Sequence, residues 1–221
     1  MGKKQPVGVE IFDKIADRYD SISKTLSLGI ISRWQRELIK GLENLGVTLD
    51  LACGTGEIAA LVKEKAKTVI GLDYSLSMLK VARRKLPELP FVRGDALNLP
   101  FKDSSFDTVL VSLSLRHFGN TEKALAEIRR VLKRGGTVRI LEVSIPQNPV
   151  LRKTFVGFLK YVLLPMGKIR SKEDVTHHLF ETIVNFPHYE ELIKLALKKG
   201  FREGHFKPLF FGMATVYELL G

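Results

Sequence analysis

The sequence predicts a doubly wound α/β fold, a mostly parallel sheet of seven strands that ends in an antiparallel hairpin. Three observations carry this. From about Thr48 onward, short β-branched or apolar runs alternate with helix-length amphipathic segments, the pattern of βαβ units around a parallel sheet. The run Phe106 to Leu113 is apolar on both faces, as a central parallel strand is. Near the end of the chain two strand-like runs follow one another with no helix between them, which is a hairpin.

In chain order, the first strand is expected near Val47 to Cys53, followed by a helix from about Glu57 to Glu64. A second strand, Thr68 to Asp73, precedes a helix for which Ser75 is the N-cap. Phe91 to Arg93 forms a short third strand and Phe106 to Leu113 the fourth. A helix from about Thr121 to Leu132 is read as stopping at Gly135 and Gly136, with strand five following as Thr137 to Val143. Tyr189 to Lys199 reads as a helix closed by Gly200, and the hairpin strands are expected at Phe201 to Lys207 and Phe210 to Tyr217.

Two helical segments, 8–44 and 149–185, stand outside this alternation. Ligands of open α/β sheets bind beyond the carboxyl ends of the strands, where added segments can close over them. The chain is therefore read as one domain, 1–221: a helical cover over 1–46, a cofactor-binding core over 47–144, a helical insertion over 145–187, and the last helix and hairpin over 188–221.

Composition narrows the class. With 45% hydrophobic and 27% charged residues in 221, the chain is an ordinary globular domain. Met1 to Glu10 has no apolar stretch after its lysines, so no secretory signal is read and a cytoplasmic location is expected. The longest apolar stretch, Phe155 to Met166, is broken by Lys160 and Pro165 and falls short of the roughly 20 residues that span a bilayer. The single cysteine, Cys53, excludes an internal disulfide and a cysteine metal cluster; it is read as packing in a tight turn, and no metal is expected. The net charge of +11 comes from short groups such as Lys63, Lys65 and Lys67, or Arg83, Arg84 and Lys85, which sit at helix ends where cations complement the macrodipole. Without an added basic, aromatic-rich module, nucleic acid is disfavoured as a partner.

The chemistry concentrates at Asp50-Leu51-Ala52-Cys53-Gly54-Thr55-Gly56-Glu57, at the junction of strand one and its helix. Gly54 and Gly56 permit positive φ and close approach of a ligand to the backbone. Asp73, at the end of strand two, can accept both hydroxyls of a ribose. Gly94-Asp95-Ala96 follows strand three, where Asp95 could hold an exocyclic amine and Ala96 leave room for a purine ring; the alternative is a turn aspartate capping the next segment. A nicotinamide dehydrogenase is the rival, since Gly54, Gly56 and Ala59 nearly match its fingerprint. Asp50 just before the turn, the absence of a hydride-transfer constellation and the terminal hairpin speak against it.

Together these motifs resemble those of class I S-adenosylmethionine-dependent methyltransferases, Rossmann-like enzymes, across residues 47–144. The resemblance implies that Asp50, Gly54, Thr55, Gly56, Asp73, Tyr74, Met78, Asp95, Ala96 and Ser112 line S-adenosyl-L-methionine, with Asp50 at its methionine end and Asp73 on its ribose. Lys133-Arg134-Gly135-Gly136 before strand five also fits. Phe12-Asp13-Lys14-Ile15-Ala16, Tyr19-Asp20, Leu28-Gly29, Trp34, Leu115-Arg116, Leu141-Glu142, Ile183 and Phe186-Pro187 extend the likeness to the ubiquinone/menaquinone-biosynthesis C-methyltransferases. That narrower resemblance implies C-methylation of a prenylated quinol precursor, an aromatic or lipid-like small molecule. Arg116 would then stabilise a phenolate and His117 take its proton, while Tyr19 and His178 face the acceptor. The chain departs from that family's pattern at His117, where an asparagine is usual, at Thr176 and His178, where tyrosines are usual, and at Ser23, which replaces an asparagine. RNA methylation and cofactor binding without catalysis stand as alternatives. The stretch from Val150 to Leu163 has apolar residues near helical spacing with Arg152, Lys153 and Lys160 among them. It is read as a packed helix, or as a cover that admits a greasy acceptor or rests peripherally on an anionic membrane. A homodimer is also allowed.

Overall fold

The computed structural model describes residues 9–27, 29–163 and 175–221. Its sheet contains β1 (Val47–Leu51), β2 (Thr68–Asp73), β3 (Phe91–Arg93), β4 (Phe106–Ser112), β5 (Leu132–Val143), β6 (Glu203–Leu209) and β7 (Ala214–Leu220). The spatial order is β3-β2-β1-β4-β5-β7-β6. The first five strands run parallel, and β7 joins antiparallel to both β5 and β6. The winding reverses between β1 and β4, so a crevice opens beyond their carboxyl ends.

Strand alternation builds two cores, one on each face. In β4, Val109 and Val111 join Leu49, Leu51, Leu125 and Ile128 on one side. Leu110, between them, joins Leu45, Ile58, Val62, Leu79 and Leu141 on the other. All three β4 residues are fully buried, which is why this strand reads as a continuous apolar run instead of an alternating one.

The helices are α1 (Val9–Ile15), α2 (Tyr19–Leu26), α3 (Ile30–Leu38), α4 (Glu57–Val62), α5 (Leu76–Lys85), α6 (Thr121–Val131), α7 (Pro149–Phe158), α8 (Val175–Val184) and α9 (Glu190–Lys198). A 3₁₀ turn, Ala16–Arg18, joins α1 to α2, and a π turn, Leu159–Leu163, continues α7. Ser75 caps α5 as expected: its Oγ accepts the Met78 N–H at 3.0 Å. Among the described residues no helix is long and apolar enough to cross a membrane. Leu28, Pro165 and Met166 lie outside the described residues, as do the side chains of Phe12, Val162, Leu163 and Thr176.

Three expectations are corrected. β1 ends at Leu51, not Cys53, because Ala52 already has a φ of 57° and turns the chain out of the sheet. Gly135 and Gly136 do not stop a helix. α6 ends at Val131, β5 starts at Leu132 beside Phe106, and the glycines lie in a bulge before pairing resumes at Thr137 with Thr108. A Cβ on Gly136 would stand 2.8 Å from the Asp107 carbonyl, so the close approach needs glycine. The hairpin strands run two to four residues later than expected, because a 3₁₀ turn, Phe210–Gly212, occupies the tip.

Candidate active site

The cavity at the sheet's carboxyl edge, about 1050 Å³ with its mouth included, is built first by the turn after β1. Gly54 takes a φ of 53°, and a Cβ there would meet nothing within 4 Å: the conformation requires glycine and the space beyond it belongs to the cavity. Gly56, at a φ of 83°, instead backs the turn against Leu86, Ala82 and Phe91 and does not line the cavity. Asp50 is buried at the end of β1 and accepts the Ala59 N–H at 2.9 Å, tying strand to helix. Burial raises its carboxyl to about 7, against the opposing pull of that hydrogen bond, and Asp73 nearby adds to the rise.

Asp73 ends β2 and clamps two turns. Its Oδ2 accepts the Gly54 N–H and its Oδ1 the Ser75 N–H, each at 2.8 Å. Burial pushes its carboxyl up from the ordinary range. Each oxygen retains a second lone pair for a ligand. Asp95 accepts the Leu97 N–H at 2.9 Å, the capping role weighed above, and it also lines the cavity, with buried Ala96 beside it. Tyr74, under the Arg93 guanidinium at 5.6 Å, and buried Met78 complete this wall. At the end of β4 the hydroxyls of Ser112 and Ser114 line the cavity, buried and without a partner among the described residues.

The cover contributes Val9, Tyr19 and Gln35 to the lining and is tied to the turns below. Asp20 accepts from the Thr55 hydroxyl and pairs with Lys85 at 2.7 Å, Asp13 accepts from the Ser75 hydroxyl, and Asp17 pairs with Arg84. Burial raises the Tyr19 phenol, opposed by the positive charge of Arg116.

On the opposite wall, the 3₁₀ turn Leu115–His117 meets α8, so that His117 Nδ1 stands 3.2 Å from His178 Nε2. Burial, then the Arg116 charge and His178, hold His117 well below the usual histidine range. His178, which touches His117 but not the cavity lining, is lowered for the same first two reasons. Arg116 is buried, and its side chain is not part of the lining. Its guanidinium pairs with Glu142 and donates to the Leu113 carbonyl at 2.9 Å, while its own N–H donates to Glu142 Oε1 at 3.3 Å.

Thus Tyr19, Asp50, Gly54, Thr55, Asp73, Tyr74, Met78, Asp95, Ala96, Ser112 and His117 meet in one cavity, and Gly56, Arg116 and His178 stand behind it. Gln35 and Ser114 also line it and were not singled out from the sequence, and so does Glu57, the last residue of the glycine-turn motif, which was given no role there. Glu57 directly follows the glycine turn and Ser114 lies two residues beyond Ser112; both positions were open to the same reading. Gln35 is a buried amide in α3 next to Trp34, a signal that burial alone exposes.

The ubiE/COQ5 methyltransferase family model matches residues 1–219. The chain belongs to this family. It is 34% identical to the demethylmenaquinone methyltransferase of Thermotoga maritima, covering 98% of this chain and 96% of that protein. It is 35% identical to the enzyme of the same name from Bacteroides fragilis, covering 98% and 93%. Two solved structures share the fold: a methyltransferase of T. maritima described as a possible histamine N-methyltransferase, and a putative methyltransferase in complex with the Haloferax volcanii Trm112 activator. Their TM-scores are 0.70 and 0.72 at 23% and 17% identity, covering 96% and 99% of this chain and 98% and 99% of theirs.

As a member of the ubiE/COQ5 family, the protein is an S-adenosylmethionine-dependent methyltransferase, and the dehydrogenase reading is set aside. The residues present fit that cofactor. Two buried hydroxyls await partners, the carboxylates of buried Asp50 and half-buried Asp73 line a cavity large enough for a nucleoside, and Gly54 leaves its approach open.

Proposed function

We propose that this methyltransferase methylates a ring carbon of a prenylated quinol, a reading supported by the relatives named demethylmenaquinone methyltransferase. The observation that carries the reading is the pair of imidazoles, His117 in the cavity wall and His178 behind it, held below the usual histidine range beside the charge of Arg116. Bound S-adenosylmethionine supplies an electrophilic sulfonium methyl. Asp73 accepts hydrogen bonds from the ribose hydroxyls, Asp50 balances the charge of the methionine ammonium, and Asp95 with Ala96, Tyr74 and Met78 encloses the adenine.

The ring carbon becomes nucleophilic when the adjacent hydroxyl loses its proton. Neutral His117 takes that proton, and the Nδ1 to Nε2 contact lets it pass on to His178. Arg116 works from behind: held by Glu142, it positions the turn that carries His117, and its charge favours the phenolate. Tyr19 closes the cavity from the cover side and helps exclude water.

The test is incubation with S-adenosylmethionine and a short-chain, water-dispersible demethylmenaquinol, followed by mass spectrometry that locates the new methyl. C-methylation is expected, with His117→Ala lowering kcat by about 100-fold and leaving cofactor affinity unchanged. Methyl found on oxygen, or undiminished turnover in the variant, would sink the reading.

A further inference from the structure

The end of the molecule that holds the cavity also carries the most exposed aromatic side chains among the described residues. β7 runs antiparallel to β5 and pairs Ala214 with Val143, so the hairpin tip lies at the carboxyl edge of the parallel strands, the edge at which the cavity lies. At that tip Phe211 is 75% and Phe210 49% exposed. Both have positive φ, 45° and 58° in chain order, a conformation that bulky side chains rarely adopt and that marks functional sites more often than chance. The tip is not loose: the Tyr189 hydroxyl lies 2.8 Å from the Ile145 carbonyl and 2.9 Å from that of Gly212, sharing its one proton between them, and Ser144 Oγ donates to the Gly212 carbonyl at 3.1 Å.

Gly212 packs against Pro146 and Gln147, immediately before α7. That helix and the π turn that continues it bury or half-bury Leu151, Phe155 and Leu159, and turn Val150, Phe158 and Tyr161 outward at 73, 50 and 71% exposure. Arg152, Lys153 and Lys160 are exposed on the same segment, and no acidic residue occurs from Ser144 to Leu163 or from Gly204 to Val216. Apolar side chains turned to solvent among cations, with no anion between them, complement the interface of a bilayer with negative headgroups.

The geometry points to a membrane-docking edge: the Phe210–Phe211 tip and the outward face of α7 insert into the surface of an anionic bilayer, which brings the mouth of the cavity to a lipid-borne acceptor. The inference takes its purpose from the prenylated-quinol reading but is tested without substrate, so either can fail alone.

The experiment is co-sedimentation of the full chain with vesicles of phosphatidylcholine containing about 30% phosphatidylglycerol, and with phosphatidylcholine alone. Phe210→Asn with Phe211→Asn is the chosen variant, because asparagine accepts the left-handed conformation and the tip keeps its fold. Wild type is expected to partition onto the anionic vesicles, and the variant about tenfold less, with unchanged affinity for S-adenosylmethionine. Lys153→Glu with Lys160→Glu should abolish the preference for anionic over neutral vesicles and weaken binding as added salt does to wild type. Failure of wild type to bind, or equal binding by the asparagine variant, would overturn the proposal. So would a dimer in gel filtration that the asparagine variant dissolves, which would make the edge a contact between copies of the chain.

Discussion

Asp50 shows how a single side chain can weigh folding against binding. Its carboxyl sits at about 7 in the fold against about 3.9 in an unfolded chain. A folded value raised above the unfolded one gives stability that is fully present below pH 4 and lost as pH rises through about 7. The difference corresponds to roughly 4 kcal/mol working against the cofactor-free fold at alkaline pH. Asp50→Asn keeps an acceptor for the Ala59 N–H and is expected to raise the melting temperature of the cofactor-free protein at pH 8. The same change should weaken S-adenosylmethionine, because the ammonium loses its counter-charge. In wild type, with Asp73 and the buried Cys53 thiol as the neighbouring ionisable groups, affinity should fall by up to about tenfold per pH unit below 7, as the carboxyl must first give up its proton. Calorimetry across pH checks both; a pH-independent affinity would remove Asp50 from the methionine end.

At the scale of elements, residue patterns located the strands well and their ends less well. Apolar runs such as Val109-Leu110-Val111 announce a buried parallel strand wherever it lies, whereas ends depend on neighbours. Gly135-Gly136 has the form of a helix stop, yet the chain enters β5 before it because Leu132 pairs beside Phe106 and the glycines pass the Asp107 carbonyl. Gly136→Ala should therefore cost about 1 to 3 kcal/mol, the range for overpacking a core, lowering the melting temperature by roughly 2 to 12 °C for a chain of this size. A thermal melt within a degree of wild type would show that the bulge tolerates a side chain. The cover behaves similarly. Its helices were legible, but the links from Asp13, Asp17 and Asp20 to Ser75, Arg84, Thr55 and Lys85 join residues more than 30 positions apart, and no local signal pairs them.

For the molecule as a whole, the cavity joins four strand ends and the N-terminal cover, so cofactor binding and global stability are linked. S-adenosylmethionine at about 100 times its dissociation constant should add about 2.7 kcal/mol, read as a rise of roughly 5 to 11 °C in melting temperature. A nicotinamide dinucleotide at equal concentration should leave the melt unchanged; a shift with the dinucleotide alone would reopen the cofactor assignment. What the sequence by itself determined was the class of fold and most of the named residues that meet in the cavity at the sheet's carboxyl edge. Those depend on short-range features: apolar periodicity, glycines that free the backbone, and carboxylates at strand ends. Only the tertiary structure decided that Arg116 stands behind the cavity wall, paired with Glu142, while His117 reaches the cavity and meets His178. It alone brought the hairpin tip and α7 to the cavity's own edge. Burial, ion pairing and the partners of a side chain are set by segments distant in sequence, and they come into being only when the sheet closes and the covers pack against it.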